Sequence, residues 1–372
     1  MLSSTFNPSN TYIMNLDLSI PTASTILVAT DHNPRRRFLT PLSDPGEFLL
    51  VLDNTAFGYI TSCPRSAEYY LLEGRESQVK GSALVFGGAI HAGLETYLKG
   101  GDVDSINKAV VDYFADHPAP INDHRTPANA LEVLRHYLES DTFERKFNIL
   151  SDAQGPLIER SFELPLCVIE VDEHIPMPWL SLKESDSMGV NPYVSRIHVA
   201  WSGRIDVIAH THGSARVVDH KTSIITDSTT IADFHLSNQT RGYVWAAQQL
   251  WPELDISGFC VNFLSLKKPT GTGGLMSPGP RGGQPPLIFS RNYFDYSPEL
   301  ISEWELNAKV VIQDFLFSVV RNFYPQHTKS CCGRFALCQY HPVCTSSPER
   351  RQSLLNSDAL YRPVTWNPTN GK

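Results

Sequence analysis

The alternation of apolar and polar positions is clearest around two short segments in the second half of the chain. Ile205 to Ala209 and Arg216 to Val218 are rich in β-branched residues and read as buried strands. Thr211-His212-Gly213-Ser214 between them reads as the turn of a hairpin. Upstream, Ile158 to Ile169 predicts another strand, with Phe162, Leu164 and Leu166 alternating. Ile256 to Leu266 predicts a further one. Helical spacing appears over Thr55–Leu72, interrupted near Cys63-Pro64, and over Phe86–Leu98, where His91, Leu94, Glu95 and Leu98 share one face. It recurs over Pro127–Phe147 and Ser237–Leu250. Ser297-Pro298-Glu299 has a capping serine, a proline in the first turn and an acid, and predicts a helix running to about Phe323.

The remaining segments lack a period. Residues 1–54 predict an irregular N-terminal extension, and Glu170 to Asn191 an acidic insertion loop. Lys267 to Pro286 is rich in Gly and Pro and predicts a flexible loop, without the Gly-Lys-Thr of a phosphate-binding loop. No internal repeat is present. Strands and helices in this order predict an α/β fold with one mixed sheet flanked by helices. Residues 55–345 are expected to form a single domain, and 346–372 a tail.

Composition narrows the class. The chain has 372 residues and is 41% hydrophobic, enough for a substantial core, and no apolar run has the length of a membrane span. With no basic-then-apolar leader, a soluble cytoplasmic protein is expected. The net charge of −8 argues against a protein that relies on nonspecific attraction to phosphate. It is compatible with carboxylates that hold cations, because the bound ion restores positive charge locally. Arg35-Arg36-Arg37, the only basic run, reads as a solvated loop.

Chemistry enters through the hairpin. Val217-Val218-Asp219-His220-Lys221-Thr222 places Asp219 and Lys221 on the same face of a strand, since side chains alternate. The turn brings Asp206, in Gly203-Arg204-Ile205-Asp206, beside Asp219. Charges at the end of a buried strand are costly unless they bind something. Two carboxylates suit Mg²⁺ or Mn²⁺, hard cations that prefer oxygen. Lys221 is placed to orient a water or to stabilise charge building on a phosphate. Glu159, which opens the Ile158 strand, reads either as a further carboxylate or as a solvated strand end.

The pattern of Asp206, twelve residues, then Asp219-x-Lys221 resembles that of the PD-(D/E)XK nuclease superfamily. Phe86-Gly87-Gly88-Ala89-Ile90-His91 resembles the motif in which RecB-type members present a metal-binding histidine from a helix. Gln239 and Tyr243, one helical turn apart, resemble the Gln-x-x-x-Tyr motif of the same branch. The resemblance implies a restriction-endonuclease-like core. It implies Asp206, Asp219, Lys221, Gln239 and Tyr243 as catalytic residues, and His91, Asp206 and Asp219 as metal ligands. The implied activity is metal-dependent hydrolysis of DNA, from a free end, in recombination, repair or CRISPR spacer processing, with protein partners from those pathways. A stand-alone phage or bacterial exonuclease is the nearer type, because helicase motifs are absent.

Of seven cysteines, four fall within Cys331 to Cys344. In an intracellular chain such clustering points to metal rather than disulfides. Cys167 and Cys260 lie in apolar segments and read as core. Cys63, then Cys332 (or Cys331), Cys338 and Cys344 resemble the arrangement in AddB nuclease domains and CRISPR adaptation nucleases. There, one cysteine before the nuclease core and three after it hold a 4Fe-4S cluster, and four thiolates suit such a cluster. The five-residue gap between Cys332 and Cys338 departs from the two residues common in those families. Zinc is the alternative, with His341 as a possible ligand, although the short cysteine pair usual for zinc is missing. The cluster would act as a clasp between the segments before and after the core. Two other functions stay open: an inactive DNA-binding scaffold on a nuclease fold, and a zinc-stabilised interaction module.

Overall fold

The computed structural model describes residues 16–17, 39–44, 46–78, 81–117, 124–140, 147–171, 194–222, 227–269, 274–277, 283–331 and 337–364. In chain order its main elements are β1 (Glu47–Leu52), α1 (Asn54–Ser62), α2 (Ser82–Leu98), α3 (Val103–Asp116), α4 (Pro127–Ser140) and β2 (Ile158–Glu170). There follow β3 (Arg196–Thr211), β4 (Ser214–Lys221), α5 (Ser228–Leu236), α6 (Asn238–Leu250), β5 (Ile256–Leu266), β6 (Leu287–Asp295), α7 (Pro298–Val320) and α8 (Pro348–Leu355). This is an α/β fold with a mixed sheet and flanking helices. The chain forms two compact units, 1–76 with 163–202 and 307–368, and 77–162 with 203–306.

In the second of these units β4 runs antiparallel to β3 and parallel to β5, and β5 runs antiparallel to β6. Helices α2, α3 and α4 close over an apolar cluster containing Phe86, Ile90, Leu94, Val110, Val133, Leu134, Leu264 and Leu266. The N-cap of α6 is Ser237, whose hydroxyl accepts the Thr240 N–H at 3.2 Å. In the other unit β1 runs parallel to the first half of β3, pairing Glu47 with Arg196 through to Leu52 with Trp201. Phe57 of α1 meets the buried Trp201 ring edge-on at 5.7 Å. Asp53 caps α1, accepting the Ala56 N–H at 2.7 Å. The chain breaks at Cys63 and resumes in a short helix at Pro64–Ala67 and a π-helical turn at Glu68–Leu72.

Several elements differ from the sequence reading. Helix α4 is described as far as Ser140; residues 141–146 of the expected helix lie outside the described residues, and Phe147, expected at its end, packs beside the His220 ring at 6.3 Å. β1 lies inside the segment expected to be irregular; its burial alternates strictly, as in a half-buried strand. α3, α5 and β6 were not anticipated; α3 sets its buried Ile106 and Val110 against Gly93 of α2, α5 buries none of its residues, and β6 pairs with β5. The expected flexible loop holds Leu275, which is buried in the apolar cluster and whose carbonyl accepts the Leu287 N–H at 3.0 Å. Residues 270–273 and 278–282 of that loop lie outside the described residues, as do Arg35-Arg36-Arg37 and most of 170–191. Within the expected tail, α8 forms and Tyr361–Pro363 pairs with Arg75–Ser77. Among the described residues no helix is long and apolar enough to cross a membrane.

Candidate active site

The hairpin between β3 and β4 turns on His212 (φ 49°) and Gly213 (φ 85°). A two-residue turn with both φ positive matches the right-handed twist of the flanking strands, and glycine accepts the second position without strain. The register it sets pairs Val218 with Val207, so the next step places Asp219 opposite Asp206. Asp206 Oδ2 accepts the His220 N–H at 3.0 Å. Asp219 Oδ2 lies 2.8 Å from Lys221 Nζ, and its Oδ1 accepts from Gln239 Nε2 of α6 at 3.2 Å.

His91 enters from α2. Its Nδ1 is 3.3 Å from Asp206 Oδ2, and its Nε2 is 2.7 Å from the His220 carbonyl oxygen. The helix can approach this closely because of its glycines. A Cβ at Gly87 would meet Thr222 Oγ1 at 3.1 Å, and one at Gly88 would collide with the Tyr113 hydroxyl of α3.

Glu159 completes the group. A nitrogen of His91 and carboxylate oxygens of Glu159 and Asp206 lie within 4.8 Å of one another. Of the two readings open for Glu159, the structure shows a buried carboxylate, its side chain 6% exposed. It sits at φ 52°, a left-handed backbone that costs a non-glycine residue on the order of 1–3 kcal/mol. Its Oε2 is 2.7 Å from Arg204 Nε, yet not aligned for a hydrogen bond. The sequence offers no signal for this conformation.

Electrostatics sets the carboxylates apart. Burial pushes the Glu159 carboxyl up to about 8, with the Asp206 charge adding to it. Burial also pushes Asp219 up, outweighing Lys221, and Asp206 again adds. At Asp206 burial acts the same way, but the His91 and His220 rings, the His220 N–H and Lys221 outweigh it and hold the carboxyl below its ordinary value. Three acids crowded in a low-dielectric pocket resist full ionisation until a cation joins them. Burial pushes His220 down to about 4, so its ring is neutral at pH 7.

Tyr243 follows Gln239 by one turn of α6 but is buried, its ring edge-on to Phe162 at 5.7 Å. The structure therefore joins Asp206, Asp219, Lys221, Gln239 and His91 directly, and sets Tyr243 into the wall beside them.

A second constellation lies in the unit that holds α1 and α8. Cys63 Sγ accepts the His327 N–H at 3.4 Å, and Arg65 Nε donates to the Tyr324 carbonyl at 3.0 Å, tying this segment to the C-terminal one. Burial pushes the Cys338 and Cys344 thiols up; Cys63 adds to both, and Cys338 adds to Cys344, so the three sulfurs are electrostatic neighbours. Among the described residues no three of these sulfurs come within 4.8 Å of one another. The Cys338 N–H donates to the Cys331 carbonyl at 2.8 Å, and Cys331 Sγ donates to the Thr328 carbonyl at 3.0 Å. Cys332 lies outside the described residues. Tyr69, on the π-helical turn, is 3% exposed, and its hydroxyl has no hydrogen-bond partner among the described residues.

Among known protein families, the model of the PD-(D/E)XK nuclease superfamily matches residues 55–345. No curated protein matches the chain. Among solved structures, one similar chain is a protein of Eubacterium rectale that carries the provisional name of exonuclease. The two are 11% identical, the match covers 80% of this chain and 94% of that one, and the TM-score is 0.40.

Proposed function

Because the chain belongs to the PD-(D/E)XK nuclease superfamily, we propose that it is a metal-dependent DNA exonuclease of the RecB-like branch, carrying an iron–sulfur clasp. The observation that carries the metal reading is the convergence of His91, Glu159 and Asp206 on one point, with Asp219 beside them. One ring nitrogen and several carboxylate oxygens suit Mg²⁺ or, better, Mn²⁺. His91, Asp206 and Asp219 would hold the ion, with Glu159 as a further carboxylate. A divalent cation there supplies a Lewis acid that polarises a phosphodiester and lowers the pKa of water.

The chain's own groups do the rest. Lys221 Nζ, anchored on Asp219 at 2.8 Å, is the one cation aimed at the carboxylates from the catalytic strand, and offers charge to the phosphate as it becomes more negative. Gln239 fixes the rotamer of Asp219 through its other oxygen. Tyr243 shapes the wall with Phe162. DNA would be the partner, with attack from a free end and a role in recombination, repair or CRISPR-type processing, as the resemblance of the motifs implies.

For the clasp, Cys63, Cys338 and Cys344 would be ligands, with Cys332 or Cys331 as the fourth. Thiolates on a single zinc at about 2.3 Å stand roughly 3.8 Å apart, whereas among the described residues no three of these sulfurs lie within 4.8 Å of one another. A cluster of several atoms fits wider spacing, and the buried Tyr69 hydroxyl, which feels the Cys344 sulfur and has no hydrogen-bond partner among the described residues, would be a donor to its sulfur.

The deciding experiment is digestion of end-labelled single- and double-stranded DNA with Mg²⁺ or Mn²⁺. Wild type should release nucleotides from ends and Lys221→Ala should not. Equal activity in both would remove the catalytic assignment, and cleavage of closed circles at the same rate would remove the exonuclease reading.

A further inference from the structure

Behind the catalytic strand, three neighbouring strands carry polar residues at one level. The parallel register of β4 and β5 sets His220 beside Asn262, and the antiparallel register of β5 and β6 sets Asn262 beside Arg291. Residues paired across neighbouring strands face the same side of a sheet. His220 therefore turns away from Asp219 and Lys221, to the opposite face. There Asn262 Nδ2 donates to His220 Nδ1 at 2.8 Å and to Tyr137 Oη of α4 at 2.9 Å. Arg291 Nε donates to Asn262 Oδ1 at 3.2 Å, and its Nη2 donates to Tyr137 Oη at 3.3 Å. The guanidinium lies over the Phe147 ring at 4.0 Å, which fixes its plane.

These bonds determine one another. Arg291 has only donors, so the Asn262 oxygen must face it and the amide nitrogen must face His220. His220 Nδ1 is then an acceptor, and the ring proton sits on Nε2, which has no hydrogen-bond partner among the described residues, so the ring is held from the Nδ1 side alone. His220 and Asn262 are both buried, where a polar chain of this kind is stiff when satisfied and costly when broken.

The backbone of the same residue serves the catalytic face. Its N–H donates to Asp206 Oδ2, and its carbonyl oxygen faces His91 Nε2 at 2.7 Å. A shift or rotation of the strand at position 220 would move both, and would move Asp219 and Lys221 on either side. We propose that His220 is a positioning residue, its ring locked by Asn262, Arg291 and Tyr137 so that its backbone holds Asp206 and His91 at the spacing a cation needs. The inference rests on the metal reading of this site and goes beyond it, because it assigns the role to side chains on the far face of the sheet.

The test is Mn²⁺ binding to the purified full-length chain without DNA, read by electron paramagnetic resonance, alongside melting temperature. Outer partners of metal ligands typically change affinity about 10- to 100-fold. Asn262→Leu and His220→Phe should each weaken Mn²⁺ binding by about tenfold or more. Tyr137→Phe, which removes only the far acceptor and keeps the ring, should give a smaller loss in the same direction, with a smaller drop in melting temperature than Asn262→Leu. In DNA cleavage kcat should fall while KM holds, since none of these residues reaches the substrate. Mn²⁺ affinity equal to wild type in folded Asn262→Leu and in Tyr137→Phe would overturn the network. A wild type that takes up no Mn²⁺ would overturn the metal reading and this inference with it. Should Asn262→Leu fail to fold, the Tyr137→Phe comparison decides alone.

Discussion

Lys221 Nζ lies 2.8 Å from Asp219 Oδ2, two residues along one strand and on one face of it. Burial raises the Asp219 carboxyl, and Lys221 opposes that rise. Lys221→Ala should lower kcat by about 10²–10³-fold, the usual loss on removing one preorganised charge at a reacting centre. The chain should stay folded with a modest fall in melting temperature, because the buried Asp219 loses its ion-pair partner. A loss of fold in place of a loss of rate, seen by circular dichroism, would count against the assignment.

Gly88 of α2 packs directly against the Tyr113 hydroxyl of α3. Gly88→Ala drives a methyl into the Tyr113 hydroxyl and should destabilise by about 1–3 kcal/mol, as overpacked cores do. Adding Tyr113→Ala should recover part of that, giving a non-additive pair in chemical denaturation. Strict additivity would show that the contact is not the cause.

Glu159 predicts a pH effect in metal-free protein. Its carboxyl is pushed up to about 8 in the folded chain, against an ordinary value of 4.5. Below 4.5 it is protonated whether the chain is folded or not, and no penalty arises. As pH rises from 4.5 to 8 the unfolded chain releases the proton while the folded chain keeps it, so stability falls across that window. With chelator present, Glu159→Gln should therefore gain stability relative to wild type progressively from pH 4.5 to 8. A difference that does not vary with pH in thermal melts would refute the linkage.

The clasp is tested by colour. Anaerobically purified wild type should be brown, with broad visible absorption, and Cys63→Ser should lose that absorption and melt earlier. A colourless protein containing zinc would sink the iron–sulfur proposal and leave the nuclease assignment standing.

The strand that carries Asp219 and Lys221, the hairpin that returns Asp206, the break at Cys63 and the helices beginning at Ser237 and Ser297 were all legible locally. Each depends on alternation, helical spacing, a turn dipeptide or a capping residue, which act over a few positions along the chain. Strand β1 was not, because its pairing with β3 joins residues 149 positions apart, and strand β6, although nearer to β5 in sequence, shows no strict alternation of burial. Glu159 could be read as ligand or as solvated strand end; only folding buries it at φ 52° against Arg204, near Asp206 and His91. Nothing in Val218-Asp219-His220 marks His220 as more than the residue between two charged ones. Its partnership with Asn262 and Arg291 exists because the registers of three strands align them, and register is a property of paired strands rather than of any one of them. The sequence alone thus determined that Asp206, Asp219 and Lys221 meet at one hairpin, because alternation and turn chemistry are local. The tertiary structure decided that Glu159 and His91 join them and what His220 packs against, because those contacts depend on the pairing of distant segments.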